Sequence, residues 1–254
     1  MQQSKTQIGF LGFLESIIRR NAVFYYFIRN IVIYFNIFEE DFKILNKYYN
    51  NKKLNIIDIG ASDGIATNFF LKNLNVNKIF CYEPHKVFIQ SLIKYKKNNK
   101  NIILKKYGIS NKKKKIEIYY PSINFLGIDL PLLTYTFYNK YELTKQIKLD
   151  FYNYKKIRVN KTIISLKKYK KLNEKIDLIK IDVNGFELEV VKGMLVQIKK
   201  DRPLIIIENS DGLNKINSLL KRNNYQKYYN MYSKFKIHNK QKVLDIFFIP
   251  NKKI

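Results

Sequence analysis

The stretch Ile56-Ile-Asp-Ile-Gly-Ala-Ser-Asp-Gly-Ile65 is an apolar run that breaks into two glycines. Gly60 and Gly64 let a backbone turn sharply and approach a ligand closely, as in nucleotide-binding βαβ units. Further on, a second apolar run, Lys78-Ile-Phe-Cys-Tyr-Glu83, ends in a carboxylate. A carboxylate at that spacing accepts hydrogen bonds from the two hydroxyls of an adenosine ribose. The pair reads as a site for an adenosine cofactor, and charge selects among such cofactors. Asp63 is expected to cap the helix that opens at Gly64, which puts negative charge where a dinucleotide seats its pyrophosphate, and Asp58 adds to it. An ammonium and a sulfonium suit this turn better than two phosphates, which favours S-adenosylmethionine over NAD.

A third stretch, Ile176-Asp-Leu-Ile-Lys-Ile-Asp182-Val-Asn-Gly185-Phe-Glu187, is an apolar strand that turns into a helix. Reacting groups of open α/β sheets sit at the carboxyl ends of strands. Asp182, Asn184 and Glu187 therefore face the same crevice as Gly60 and Glu83. A reaction in that crevice that frees a proton needs a group to take it. Asp182 is the first choice, with Glu187 and His85 behind it; the rival role for Asp182 is a contact to the cofactor's amino group. His85 also reads as a partly exposed helix-terminal residue, His238 as solvated and Cys81 as a small buried hydrophobe. Asp182, Glu187 and Glu208 lie on different elements and give a poor ligand count, so no metal is expected.

The elements that must hold these residues follow from periodicity. Short apolar runs at 54–59, 78–83, 101–107, 176–182, 203–208, 225–232 and 243–249 alternate with amphipathic segments near 64–74, 85–97, 186–199 and 211–222. That is the pattern of a doubly wound α/β sheet covered by helices. An insertion at about 115–170 holds a strand-like piece at 116–120 and the aromatic loop Tyr135-Thr-Phe-Tyr138, which stacks on a sugar ring or packs; it is the expected substrate region. Residues 8–50 read as two or three helices, so 1–50 is assigned as an N-terminal helical extension or cap and 51–254 as the catalytic domain. The cap packs on the sheet or, through residues 8–38, rests on a membrane as a peripheral foot. The run from Val23 to Phe38 is too short and too interrupted to span a bilayer, and no signal-peptide cleavage site follows residues 8–14. A cytoplasmic location is expected.

Composition excludes other classes. One cysteine and two histidines leave no disulfide framework and no zinc module, and 46% hydrophobic residues rule out a disordered polyelectrolyte despite a net charge of +28. Only six of the 48 basic residues are arginine. Dispersed lysine beside abundant Asn, Ile and Tyr reflects codon bias with solvated lysine faces, or else serves an anionic partner: acidic glycan, anionic lipid or nucleic acid. Specific nucleic-acid recognition is not expected. Base-amino methyltransferases hold a flipped base with an Asn/Asp-Pro-Pro-type turn, and this chain has Asp182-Val-Asn-Gly185 instead.

Taken in order, Asp58-Ile-Gly-Ala-Ser-Asp-Gly64, Tyr82-Glu83-Pro84, Lys180-Ile-Asp-Val-Asn-Gly185-Phe-Glu187 with Gly193, Arg202-Pro203 leading to Glu208-Asn209, and Asp245-Ile-Phe-Phe resemble the landmarks of FkbM-type S-adenosylmethionine-dependent methyltransferases. The resemblance covers residues 54–250. It implies a class I methyltransferase (Rossmann-like) sheet of seven strands, the last antiparallel, and methyl transfer to a hydroxyl oxygen, usually on a sugar or a secondary metabolite. It also implies cofactor contacts from Asp58, Gly60, Ser62, Asp63, Gly64, Glu83, Pro84 and Asp182, with Tyr107 and Gly108 beside the adenine and Thr67 near the methionine end. Ser62 stands where the family usually has Asn, Asn184 where it has an acid or Gln, and Lys167-Lys168 where it reads Leu-Asp-Asp. The expected activity is O-methylation of a glycan or its precursor. The competing classes are a nucleic-acid-binding or nucleic-acid-modifying methyltransferase and a catalytically silent, membrane-associated module.

Overall fold

The structure, a computed structural model, describes residues 21–24, 27, 40–132, 135–151, 153–209, 212–231, 234–238 and 243–251. The chain divides into two compact units, and the larger comprises residues 36–116 and 163–254. Its elements begin with helix α1 (Ile44–Tyr49), strand β1 (Leu54–Ile59), α2 (Ile65–Asn73), β2 (Val76–Tyr82), α3 (Lys86–Asn98), β3 (Ile102–Lys105) and β4 (Gly108–Ser110). The chain then passes along β5 (Lys114–Phe125) to β6 (Ile128–Pro131) and α4 (Lys140–Asp150), and returns along β7 (Ile157–Lys168). It finishes with β8 (Leu178–Ile181), α5 (Glu187–Asp201), β9 (Leu204–Glu208), α6 (Leu213–Lys221), β10 (Tyr225–Met231), β11 (Lys234–Ile237) and β12 (Asp245–Pro250).

The main sheet has eight strands in the order β11-β10-β12-β9-β8-β1-β2-β3. Strands β9, β8, β1, β2 and β3 run parallel, whereas β12 is antiparallel to β9, β10 to β12 and β11 to β10. The α/β expectation holds; the count does not, because β11 adds an eighth strand as an edge hairpin. Its Lys-Phe-Lys-Ile sequence alternates charge with apolar residues over four positions and offers no apolar run to read.

Each central strand sorts its side chains to two faces with a period of two. Ile57, Ile59, Ile179, Ile181, Ile205 and Ile207 pack beneath α5 and α6 with Val190, Met194 and Ile216, while Leu54, Ile56, Leu178, Leu204 and Ile206 pack with Phe69, Phe70 and Leu92 from α2 and α3. Both faces are covered, so the strands read as continuous apolar runs. Phe42, Ile44 and Leu45 join the second core, with the Phe42 ring 5.8 Å from Phe70. Residues 42–45 thus pack on the sheet. Most of the proposed helices and membrane foot within 8–38 lies outside the described residues. Among the described residues no helix is long and apolar enough to cross a membrane.

The smaller unit gathers residues 117–162 with the described residues 21–24 and 27. Ala22, Ile123, Leu132, Tyr135, Leu143, Ile147 and Phe151 form its own core. Where the sequence suggested a loop with one short strand, there is a β5–β6 hairpin, a helix capped by the Asn139 side chain accepting from the Tyr141 N–H at 2.8 Å, and the long strand β7. The hairpin turns through Leu126 (φ 52°) and Gly127 (φ 82°), a left-handed pair that usually reads Asn-Gly, so its sequence gives no warning. Tyr135 is packed against Phe151, and Tyr138 is exposed.

Candidate active site

Going out from β1, the order β2, β3 runs one way and β8, β9 the other. The switch point of the sheet therefore lies at the carboxyl ends of β1 and β8, where such folds hold ligands. The two ends touch: the Asp182 N–H donates to the Ile59 carbonyl at 3.0 Å. A Cβ on Gly60 (φ +75°) would stand 1.8 Å from the Asp182 carbonyl oxygen. Gly60 thus serves this close approach of two chains, in addition to the turn foreseen for it.

At the turn after β1, Ser62 (φ 51°) and Gly64 (φ 90°) are left-handed. Helix α2 starts at Ile65 with Gly64 at its N-cap and no side-chain cap, which corrects the capping role expected of Asp63. The turn is braced from β2. Glu83 accepts the Ser62 N–H at 2.9 Å through Oε2 and the His85 N–H at 2.7 Å through Oε1. A carboxylate has about four lone-pair sites, so each oxygen keeps one for a ribose hydroxyl. Burial pushes the Glu83 carboxyl up to about 7 against the pull of those two amides. Pro84 lies across from Gly108, where an added Cβ would meet Leu166 at 2.5 Å. Tyr107 follows β3 and sets its ring edge-on to Tyr82 at 5.7 Å.

Asp58 is fully buried inside β1, directly opposite Lys180 of β8 in the ladder. Thr67 donates to Asp58 Oδ2 at 2.6 Å, so it positions this carboxylate. Asp58 Oδ1 has no hydrogen-bond partner and lies 3.9 Å from Lys180 Nζ. Burial raises its affinity for a proton, while Lys180 and Thr67 oppose the rise. Lys180 Nζ is 3.0 Å from Asp182 Oδ2. Burial alone would strip the Lys180 proton, but the Asp182 and Asp58 carboxylates outweigh it and hold the ammonium firmly charged. Glu208, ending β9, hydrogen-bonds Asp182; burial first, then the Asp182 charge, pushes the Glu208 carboxyl up to about 8. The Asp182 side chain is 38% exposed.

Sequence reasoning placed Asp182 here but gave Lys180 and Glu208, both among the family landmarks, no part in orienting it. A lysine two residues before Asp182 in an otherwise apolar run was the available signal. Glu187 is buried and accepts the N–H groups of Val183 (3.3 Å) and Gly185 (2.8 Å), so its carboxylate holds the turn. His85 was expected partly exposed; it is buried at the start of α3 with its ring 5.5 Å from Phe88, and burial lowers its proton affinity. His238, expected solvated, is buried beside Tyr229. Cys81 is buried in β2, its thiol proton held by burial and by the nearby Asp58 charge. Among the described residues no three His, Cys, Asp or Glu side chains are grouped to hold a metal ion.

The donor set fits a cationic adenosine cofactor. A buried acceptor without a hydrogen bond, Asp58 Oδ1, awaits a cationic or N–H donor, Glu83 suits a ribose, and acids crowd the turn where phosphates would be repelled. Sheet order, glycine turn and strand-ending acid define a Rossmann-like fold of the class I methyltransferase type. The methyltransferase FkbM domain matches residues 58–227. The chain belongs to that family, and S-adenosylmethionine is the cofactor that membership assigns to it. Among solved structures, it is similar to the FkbM methyltransferase of Methylobacillus flagellatus KT (15% identity, TM-score 0.47, covering 77% of this chain and 43% of that one). It is also similar to a ribosomal protein L11 methylase of Lactobacillus delbrueckii subsp. bulgaricus (14%, 0.43, 81% and 72%). A third is the precorrin-6y C5,15-methyltransferase of Geobacter metallireducens GS-15 (12%, 0.40, 84% and 86%). The chain spans less than half the length of the first of these. No curated protein matches it.

Proposed function

We propose that this protein methylates a hydroxyl of a sugar, in a cell-surface glycan or its precursor, and does so in the cytoplasm. The observation that carries the reading is the half-exposed Asp182 carboxylate at the switch point, gripped by the Lys180 ammonium at 3.0 Å and by the Glu208 carboxyl. S-adenosylmethionine, when bound, supplies an electrophilic methyl on a sulfonium, so the acceptor oxygen gains a methyl as it loses a proton. Asp182 takes that proton. Lys180 fixes the carboxylate's orientation, and Glu208 holds it from the other side. Glu83, Asp58 and the 60–64 turn hold the cofactor; Glu187 keeps the 183–185 backbone in place.

Labelled methyl transfer from S-adenosylmethionine onto purified polysaccharide, followed by hydrolysis, tests this directly. Acid-stable O-methyl sugars are expected. Label found only in protein or RNA, with none in sugar, overturns the reading.

A further inference from the structure

Residues 105–115 and 167–171 hold ten lysines in sixteen positions and no Asp or Glu, whereas lysine fills about one position in six over the chain. The fold brings these stretches together, because β4 pairs in parallel with β7, Ile109 opposite Lys167 and Ser110 opposite Lys168. Eight of the ten are exposed and two, Lys105 and Lys114, are half-buried. Among the described residues none of the ten enters an ion pair. The platform beneath them is tight: a Cβ on Gly193 of α5 would stand 2.7 Å from the Ser110 carbonyl oxygen. Like charges held this close repel, and a polyanion relieves them.

The ridge reaches the active site at both ends. Lys167 Nζ lies 4.4 Å from the centre of the Tyr107 ring, which abuts Tyr82 next to Glu83. Lys114 Nζ lies 4.5 Å from the centre of the Phe186 ring, at the close of the turn that begins with Asp182. The occupant is narrowed by what the ridge lacks. Single-stranded nucleic acid is held by open aromatic faces and read by arginine forks. Here there is no arginine, lysines stand over the Tyr107 and Phe186 rings, and Tyr169 is buried. A membrane surface calls for exposed apolar side chains beside the basic ones, and none of the large exposed apolar residues falls in these stretches.

We propose that this ridge binds an acidic glycan, a sugar chain bearing phosphate, carboxylate or sulfate groups, and guides its hydroxyl to Asp182. The assignment rests on the methyl-transfer reading above and names its substrate class. Lysine ammonium groups give such a chain many weak, adjustable contacts with little demand on geometry.

The test uses the whole protein with labelled heparin oligosaccharide, poly(U) of matched charge, neutral dextran and vesicles containing anionic lipid. Heparin is expected to bind most tightly, at least tenfold weaker at 0.2 M than at 0.05 M salt, and dextran not at all. Replacing Lys113, Lys115, Lys168 and Lys171 by Gln should weaken heparin binding tenfold or more, with S-adenosylmethionine affinity in calorimetry unchanged; the same four positions as Arg should retain it. Unchanged heparin affinity in the Gln variant overturns the ridge and leaves methyl transfer standing. Tighter binding of poly(U) or vesicles than of heparin replaces the glycan by RNA or membrane. Absence of S-adenosylmethionine binding in the unmodified protein overturns the methyl-transfer reading itself, whatever heparin does.

Discussion

Two turns of the same kind, a parallel strand bending through left-handed residues into a helix, are braced in opposite ways. The turn after β1 is held from outside: Glu83, from the neighbouring strand, accepts the Ser62 N–H. The turn after β8 is held from within: Glu187, in the first turn of the helix that follows it, accepts the Val183 and Gly185 N–H groups. The first brace is also the carboxylate assigned to the ribose, so cofactor and loop draw on one side chain. The second brace is separate from Asp182, the residue proposed as the base. A turn that only binds can share its brace; a turn that must do chemistry keeps brace and reagent apart.

The sharpest way to break this contrast is Asp182→Asn. If Asp182 is the base, kcat falls on the order of 10²- to 10⁴-fold while S-adenosylmethionine affinity is unchanged. Affinity and rate falling together would make it a cofactor contact, and a near-normal rate would remove it from the chemistry. Gly60→Ala comes next, because a Cβ 1.8 Å from the Asp182 carbonyl oxygen at φ +75° drives the two turns apart. Denaturant titration should show a loss of more than about 3 kcal/mol, or no folded protein.

Acidity sharpens the comparison further. Glu83 and Glu208 bind protons more tightly folded, near 7 and 8, than an unfolded glutamate near 4.5. Their contribution is complete below about pH 4.5 and is lost as pH rises through 7 and 8. The unfolding free energy of the native protein from urea titration, measured against a Glu83→Gln, Glu208→Gln variant, should therefore decline between pH 5 and pH 8.5 by several kcal/mol. A flat difference would contradict these raised affinities. The smallest effect is at the left-handed serine. Ser62 occupies φ 51° in the first turn where the second has Asn184 at φ 49°. Asn tolerates that region better, so Ser62→Asn should gain about 0.5 kcal/mol, a rise of one or two degrees in Tm.

Seven strands and the four helices between them were legible because the central strands are buried on both faces and each helix on one, so apolar runs and helical stripes mark them. The order of motifs then located Asp58, Glu83 and Asp182. Legibility ended where pairing partners matter more than composition. Lys180 looks like an interruption of β8 until Asp58 is seen opposite it. The 117–162 unit hides its hairpin because the left-handed pair is Leu126-Gly127, and His85 reads as partly exposed and His238 as solvated although both are buried. Burial of a polar residue is a property of the neighbourhood, and periodicity reports only the chain's own face.

Strand β12 follows β10 and β11 in sequence yet lies between β9 and β10 in the sheet. During synthesis the β10–β11 hairpin therefore emerges with no strand to dock on, and β9 keeps a bare edge of backbone donors and acceptors until residues 245–250 arrive to zip both sides at once. An interrupted chain that stops short of them would not be a slightly shorter enzyme. It would be a sticky intermediate with an open strand, the kind of surface that recruits other chains before it recruits its own.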